Sequence, residues 1–194
     1  MAPPGRLLGE LLPALGDLAR WLSATSYPGA VIGGIAAGLQ GRPRVTKDID
    51  ATVIATIEDA PAILAELREF GFEPRVDDPV AFAGDTGVLL LVHSDSSVEV
   101  DLTLAALPFE IDMVEGARTL VVAGTTLRVA APEDLLVMKS LARRPVDVVD
   151  IEGLLDANPA LDLDRVRLQL RSFAEVLEAP EIVADFEAIL ARRK

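Results

Sequence analysis

Asp48 and Asp50 stand one residue apart at the entrance to an apolar run, in the stretch GGIAAGLQGRPRVTKDIDATV that spans residues 33–53. DIDATVIA reads as a strand, and side chains alternate faces along a strand, so the two carboxylates point the same way. Held a few ångströms apart, two carboxylates are costly unless one is protonated or a cation lies between them. Two solvated aspartates at a strand edge are the simpler account of DID taken alone. A bound cation is the alternative, and the rest of the stretch bears on the choice.

The chain has no cysteine, which excludes disulfides and thiolate metal sites. An oxygen-only donor set suits Mg²⁺, which takes one or two protein carboxylates and completes its octahedron with phosphate oxygens and water. Gly33 and Gly34 lie between a short apolar strand and a short helix. Glycine lets the backbone approach a ligand closely, and a helix N-terminus presents unpaired N–H groups to an anion. Arg42, Arg44 and Lys47 add positive charge just before the aspartates. Anion donors, a basic loop and a carboxylate pair thus follow one another within one strand–helix–strand unit, the order expected of a magnesium clamp for a nucleoside triphosphate.

A third carboxylate would complete a two-metal site. SSVEVDLTLA supplies Glu99 and Asp101 on one strand face, opposite Val98, Val100 and Leu102. Asp101, deeper in the apolar run, is the candidate ligand; Glu99 reads as a solvated rim residue.

The remaining elements follow from periodicity and turn residues. Leucines from Leu7 to Leu22 predict an amphipathic helix over 5–23. YPGAVIGG is a short strand and GIAAGLQG a short helix. EDAPAILAELREFGF is a helix with Pro61 in its first turn and Gly71 just past its end. TGVLLLVHSDSSVEVDLTLA is two strands, most simply a hairpin. Residues 107–117 are a short helix, RTLVVAGTTLRVAA is a hairpin across Gly124, and APEDLLVMKSLARR and PVDVVDIEGLLDA are two helices. The tail, 162–192, is helical with a break near Pro180. The predicted fold is α/β: a small mixed twisted sheet flanked by helices over residues 1–131, followed by a helical C-terminal part, 132–194, packed on that core.

VIGGIAAGLQGRPRVTKDIDATV resembles the signature of the DNA polymerase β-like nucleotidyltransferase superfamily: a glycine turn, a short helix and an Asp-x-Asp strand. GRPRVTKDID is most similar to the AbiEii-like and minimal nucleotidyltransferase branch, and APEDLLVMKSLARRPVDVVDIEGLL resembles that branch's helical motif. The resemblance covers about residues 30–155. It implies that Gly33 and Gly34 bind the triphosphate, that Asp48 and Asp50 are metal ligands, and that Asp101 accepts the acceptor hydroxyl's proton or binds a second ion. It also implies that Lys139 lies near the nucleotide phosphates, and that Asp147 fills an acidic motif position. The turn is Gly-Gly rather than Gly-Ser, so a serine contact to phosphate is missing. Lys139 has a second reading, a lysine at the edge of an apolar helix face that snorkels to solvent.

The expected activity is Mg²⁺-dependent (or Mn²⁺-dependent) transfer of a nucleoside monophosphate from an NTP such as ATP to an acceptor, with nucleotide contacts from Gly33, Gly34, Arg44, Lys47 and Lys139. Two other classes stand beside it: a toxin acting on tRNA or protein and restrained by a cognate antitoxin, and a nucleotide-binding module without catalysis. A formal net charge of −13 argues against broad nucleic-acid binding, which needs a basic surface. No apolar run approaches the ~20 residues that span a bilayer, so no membrane partner and a cytoplasmic location are expected.

Overall fold

The computed structural model describes residues 9–193. Its contacts divide the chain into two compact units: the described residues up to Ala36 together with Arg44–Ala130, and Ala37–Pro43 together with Ala131 onward.

The first unit opens with α1 (Leu12–Ala24), which has Pro13 in its first turn and buries Ala14, Leu15, Leu18, Ala19 and Trp21. The part of the expected helix over residues 5–8, including Leu7 and Leu8, lies outside the described residues. β1 (Gly29–Val31), α2 (Gly33–Gln40) and β2 (Asp48–Val53) follow. Next come α3 (Ala60–Glu69), β3 (Phe72–Pro74), α4 (Pro79–Thr86), β4 (Val88–His93), β5 (Glu99–Leu104) and α5 (Pro108–Glu115). The hairpin of β6 (Arg118–Val122) and β7 (Thr125–Val129) closes the unit. β3 and α4 were not anticipated from the sequence. β3 is three residues long and ends in proline, and α4 is a two-turn helix with one buried residue, Ala83, so neither carries a periodic signal.

The described strands form one mixed seven-stranded sheet in the order β3-β4-β5-β2-β1-β7-β6. β2–β5 and β1–β7 are parallel and the other pairs antiparallel. One face is core: Ile49, Ala51, Val53, Leu89, Leu91, Val100 and Leu102 are all fully buried. The alternate residues of β2 and β5, Asp48, Asp50, Glu99 and Asp101, lie on the opposite face and are exposed or half-buried. This is an α/β sheet flanked by helices, with its central parallel pair carrying the acidic residues.

His93, at the end of β4, belongs to the core side and is 1 % exposed. Its Nδ1 lies 2.8 Å from Ser96 Oγ and its Nε2 3.0 Å from Asp17 Oδ2, so it joins α1 to the sheet.

The second unit contains α6 (Pro132–Ala142), α7 (Pro145–Ala157), α8 (Leu163–Val176) and α9 (Glu181–Ala191). α6 touches each of the other three. Its Leu135 and Leu136 are fully buried, as are Leu154 of α7, Val166 and Leu170 of α8, and, almost fully, Phe186 of α9. Residues 37–43 join this unit through backbone contact. A Cβ on Gly41 would stand 2.8 Å from Leu154 N, and one on Gly153 would stand 2.8 Å from Arg42 N. Only paired glycines permit two backbones to pass so closely. Arg42 forms an ion pair here with Asp156, at 2.6 Å.

Candidate active site

The site is built on the register of β2 and β5. Asp48 lies opposite Glu99 and Asp50 opposite Asp101, so four carboxylates occupy two adjacent rows of one sheet face. The parallel pairing fixes this. A slip of one residue would turn Asp101 to the core side and Val100 outward.

Gly33 and Gly34 close the site from the side of β1. Ile32 N donates to Asp50 O at 2.9 Å, carrying the pairing of β1 with β2 one residue further. The chain then turns at Gly33, with φ +63°, a conformation that glycine adopts without strain. A Cβ there would stand 1.8 Å from Asp50 Oδ2. Gly34 N, at the start of α2, faces the same oxygen at 3.4 Å. Over Gly34 lie the Arg44 guanidinium and the Thr46 hydroxyl: a Cβ on Gly34 would meet them at 2.8 and 3.1 Å. Thr46 Oγ1 also donates to Asp48 Oδ1 at 2.8 Å. The glycine turn, Arg44, Thr46, Asp48 and Asp50 are thus one cluster. Lys47 is in the same loop and exposed to solvent.

Two of these participants were not singled out in the sequence. Thr46 stands two residues before Asp48, on the same side of an extended chain, and that spacing is the signal for it. Arg75 has no local signal. It follows β3, and its guanidinium bonds the Asp101 carboxylate and approaches Glu99 Oε2 at 3.4 Å. The side chains are 28 % exposed for Arg75, 59 % for Glu99 and 38 % for Asp101.

Lys139 lies in the second unit and is 4 % exposed. Its Nζ is 3.0 Å from Asp147 Oδ1 and 2.9 Å from Asp150 Oδ2. Asp147 also caps α7, accepting from Arg144 N at 3.0 Å and Arg144 Nε at 2.7 Å. Burial pushes the Asp147 carboxyl up, and the hydrogen bonds from Arg144 and Lys139, with the charge of Lys139, more than offset it, so it lies below the usual aspartate range. Lys139 is therefore the shared counter-ion of two buried carboxylates rather than a snorkelling lysine.

The donor set on the sheet face is carboxylate oxygen throughout, the chemistry of a hard divalent cation, and the glycine turn sets the Gly34 N–H beside it. Among the described residues no group of three or more His, Asp or Glu side chains is already gathered tightly enough to hold a metal ion. The same face meets its need for positive charge with arginine. Asp48, Asp50 and Asp101 are the residues of this face whose oxygens have the chemistry for such an ion, and Asp101 is bonded by Arg75.

Residues 12–187 match the family described as "Nucleotidyl transferase of unknown function (DUF2204)". The chain belongs to this family. The DUF2204 fold is shared with solved nucleotidyltransferases. One is the antibiotic-resistance factor ANT(2'')-Ia in solution, at 18 % identity over 88 % of this chain and 95 % of that one, TM-score 0.59. Another is an antigenic nucleotidyltransferase-like protein from Paracoccidioides brasiliensis, at 18 % identity over 93 % of both chains, TM-score 0.55. A third is the lincosamide antibiotic adenylyltransferase LnuA, at 18 % identity over 75 % of this chain and 94 % of that one, TM-score 0.51. At such identities the likeness is one of fold. No curated protein matches the DUF2204 chain in sequence. Among its described residues no helix is long and apolar enough to cross a membrane.

Proposed function

We propose that this DUF2204 protein transfers a nucleoside monophosphate from an NTP to a hydroxyl-bearing acceptor and releases pyrophosphate. The observation that carries the reading is the register pairing of Asp50 with Asp101, with the Gly33–Gly34 turn packed on the Asp50 carboxylate.

In this reading Asp48, Asp50 and Asp101 hold Mg²⁺, or Mn²⁺ in its place. A divalent ion bound there would neutralise the triphosphate and polarise its α-phosphorus for in-line attack. The N–H groups at the start of α2 and the Arg44 guanidinium face the phosphates and fix their orientation. The acceptor oxygen forms a bond to the α-phosphorus as the bond to the bridging oxygen of pyrophosphate breaks, and an Asp101 carboxylate oxygen takes the acceptor's proton. Catalysis is then chiefly positioning and electrostatic stabilisation. Lys47 reaches the outer phosphates from the exposed side of the loop. Lys139 enters as the buried cation that ties α6 to α7, and any phosphate contact it makes would be additional to that. Placement in the AbiEii-like branch rests on the wording GRPRVTKDID.

The test uses NTPs radiolabelled at the α- or the γ-phosphate, Mg²⁺, and three acceptor sources: the protein itself, total tRNA and a small-molecule extract. Label from the α position alone is the expected outcome. Label from the γ position would make the protein a kinase. No transfer together with clear nucleotide binding would make it a binding module.

A further inference from the structure

Arg75 stands in the same row of the sheet as the two aspartates. β3 pairs with β4 through Pro74 and Leu91, and Arg75 N carries the ladder on by donating to Leu90 O at 3.0 Å. Leu90 is the partner of Asp101, and Asp101 of Asp50. Residues in one row of a pleated sheet share a face, so Arg75, Asp101 and Asp50 project on the same side. One strand, β4, separates Arg75 from β5, and only a long side chain spans it. The guanidinium fork then meets both acids of β5: Nη2 binds Asp101 Oδ1, and Nη1 stands 3.4 Å from Glu99 Oε2.

We propose that Arg75 is the site's built-in counter-cation, which holds Asp101 in the metal-free protein and retreats onto Glu99 when a divalent cation takes Asp101. This rests on the metal-binding reading of Asp48, Asp50 and Asp101. Glu99 then gives the displaced guanidinium a second carboxylate on the same strand. Two physical points support it. Asp50 and Asp101 sit side by side on neighbouring strands, where like charges repel, and the Arg75 guanidinium brings positive charge to the Asp101 member of the pair. The arginine pair is also partly exposed, and ion pairs of that kind shift an equilibrium by only about two- to fivefold. Arg75 is thus strong enough to balance Asp101 and weak enough to yield to a divalent ion.

The test measures Mn²⁺ binding to the whole protein without nucleotide, from the paramagnetic resonance signal of free Mn²⁺. Wild type is compared with Arg75→Gln, Glu99→Gln, the double variant and Asp50→Asn. Arg75→Gln is expected to bind Mn²⁺ about two- to fivefold more tightly. Glu99→Gln is expected to bind more weakly, because Arg75 then has no second carboxylate to retreat to, and this loss is expected to shrink in the Arg75→Gln background. An unchanged affinity in Arg75→Gln, or an equal Glu99→Gln loss in both backgrounds, overturns the proposal while leaving the metal site standing. Absence of Mn²⁺ binding in wild type and Arg75→Gln alike, or binding that survives Asp50→Asn, overturns the metal site and the proposal with it.

Discussion

The carboxylate of Asp50 occupies the space that a side chain on Gly33 would need, with Oδ2 1.8 Å from where its Cβ would be. Gly33→Ala therefore has two costs: a left-handed backbone for a residue with a Cβ, and displacement of Asp50 from the turn. The expected loss is about 1–3 kcal/mol in chemical denaturation. The nucleotide-induced rise in Tm should disappear as well. Retention of that rise would separate the turn from nucleotide binding.

Asp50→Asn and Asp101→Asn are each expected to lower nucleotidyl transfer by about 10²–10³-fold. Neither should lower the Tm of the nucleotide-free protein by more than about 4 °C, the shift of roughly 1 kcal/mol in a chain of this size. A larger drop would mean that these carboxylates serve the fold. Steady-state kinetics beside a thermal melt reads both.

Mg²⁺ with an NTP should stabilise the native state by mass action. At a hundredfold excess over Kd the gain is about 2.7 kcal/mol, or roughly 5–10 °C in Tm. Differential scanning fluorimetry across the four NTPs reads the base preference directly. No shift with any of them would count against nucleotide binding.

Lys139→Met leaves Asp147 and Asp150 buried without their shared cation. The expected loss is about 3–5 kcal/mol, and most of it should return when both aspartates are also changed to asparagine. If Lys139 also neutralises charge that develops only in the transition state, transfer by the triple variant stays low while its nucleotide affinity holds. Normal transfer in that variant confines Lys139 to the fold.

Acid should unfold the protein partly through Asp147 and Asp17. For Asp17, as for Asp147, burial pushes the carboxyl up and its partners outweigh this: hydrogen bonds from Arg20 and with His93, and their charge. A folded-state pKa below the unfolded one contributes stability that is present above the unfolded value, about 3.9, and is lost as pH falls through the folded one. The denaturant midpoint should therefore hold between about pH 7 and 5 and fall below about pH 4. Asp147→Asn should start lower at neutral pH and show a shallower acid decline. An acid limb as steep as wild type would remove Asp147 from the account.

Much of the site was legible because its parts are local. The glycine turn, the basic loop and Asp48–Ile49–Asp50 lie within 21 residues, and alternation placed Glu99 and Asp101 opposite Val100 and Leu102. What alternation cannot state is which strand lies beside which. Arg75 meets Asp101 only because the sheet order sets β3 two strands from β5, a fact of tertiary register. Lys139 shows the same limit. Its helix pattern describes one face of α6, whereas its surroundings are made by Asp147 and Asp150 of the next helix.

The β2–β5 pairing joins residues 51 positions apart, while β2 also pairs antiparallel with nearby β1. Local contacts close first and distant parallel ones late, since the long loop must be ordered before its strands are rewarded. On a growing chain, Gly33 and Asp50 can be brought together while β5 is still unmade. Asp101 arrives only with the closing of the sheet's centre. The glycine-turn half of the site thus precedes the half that sets Asp101 beside Asp50, so that part of the electrostatic cost falls on the docking of β5, and a cation present at that moment would act as a folding aid as well as a ligand.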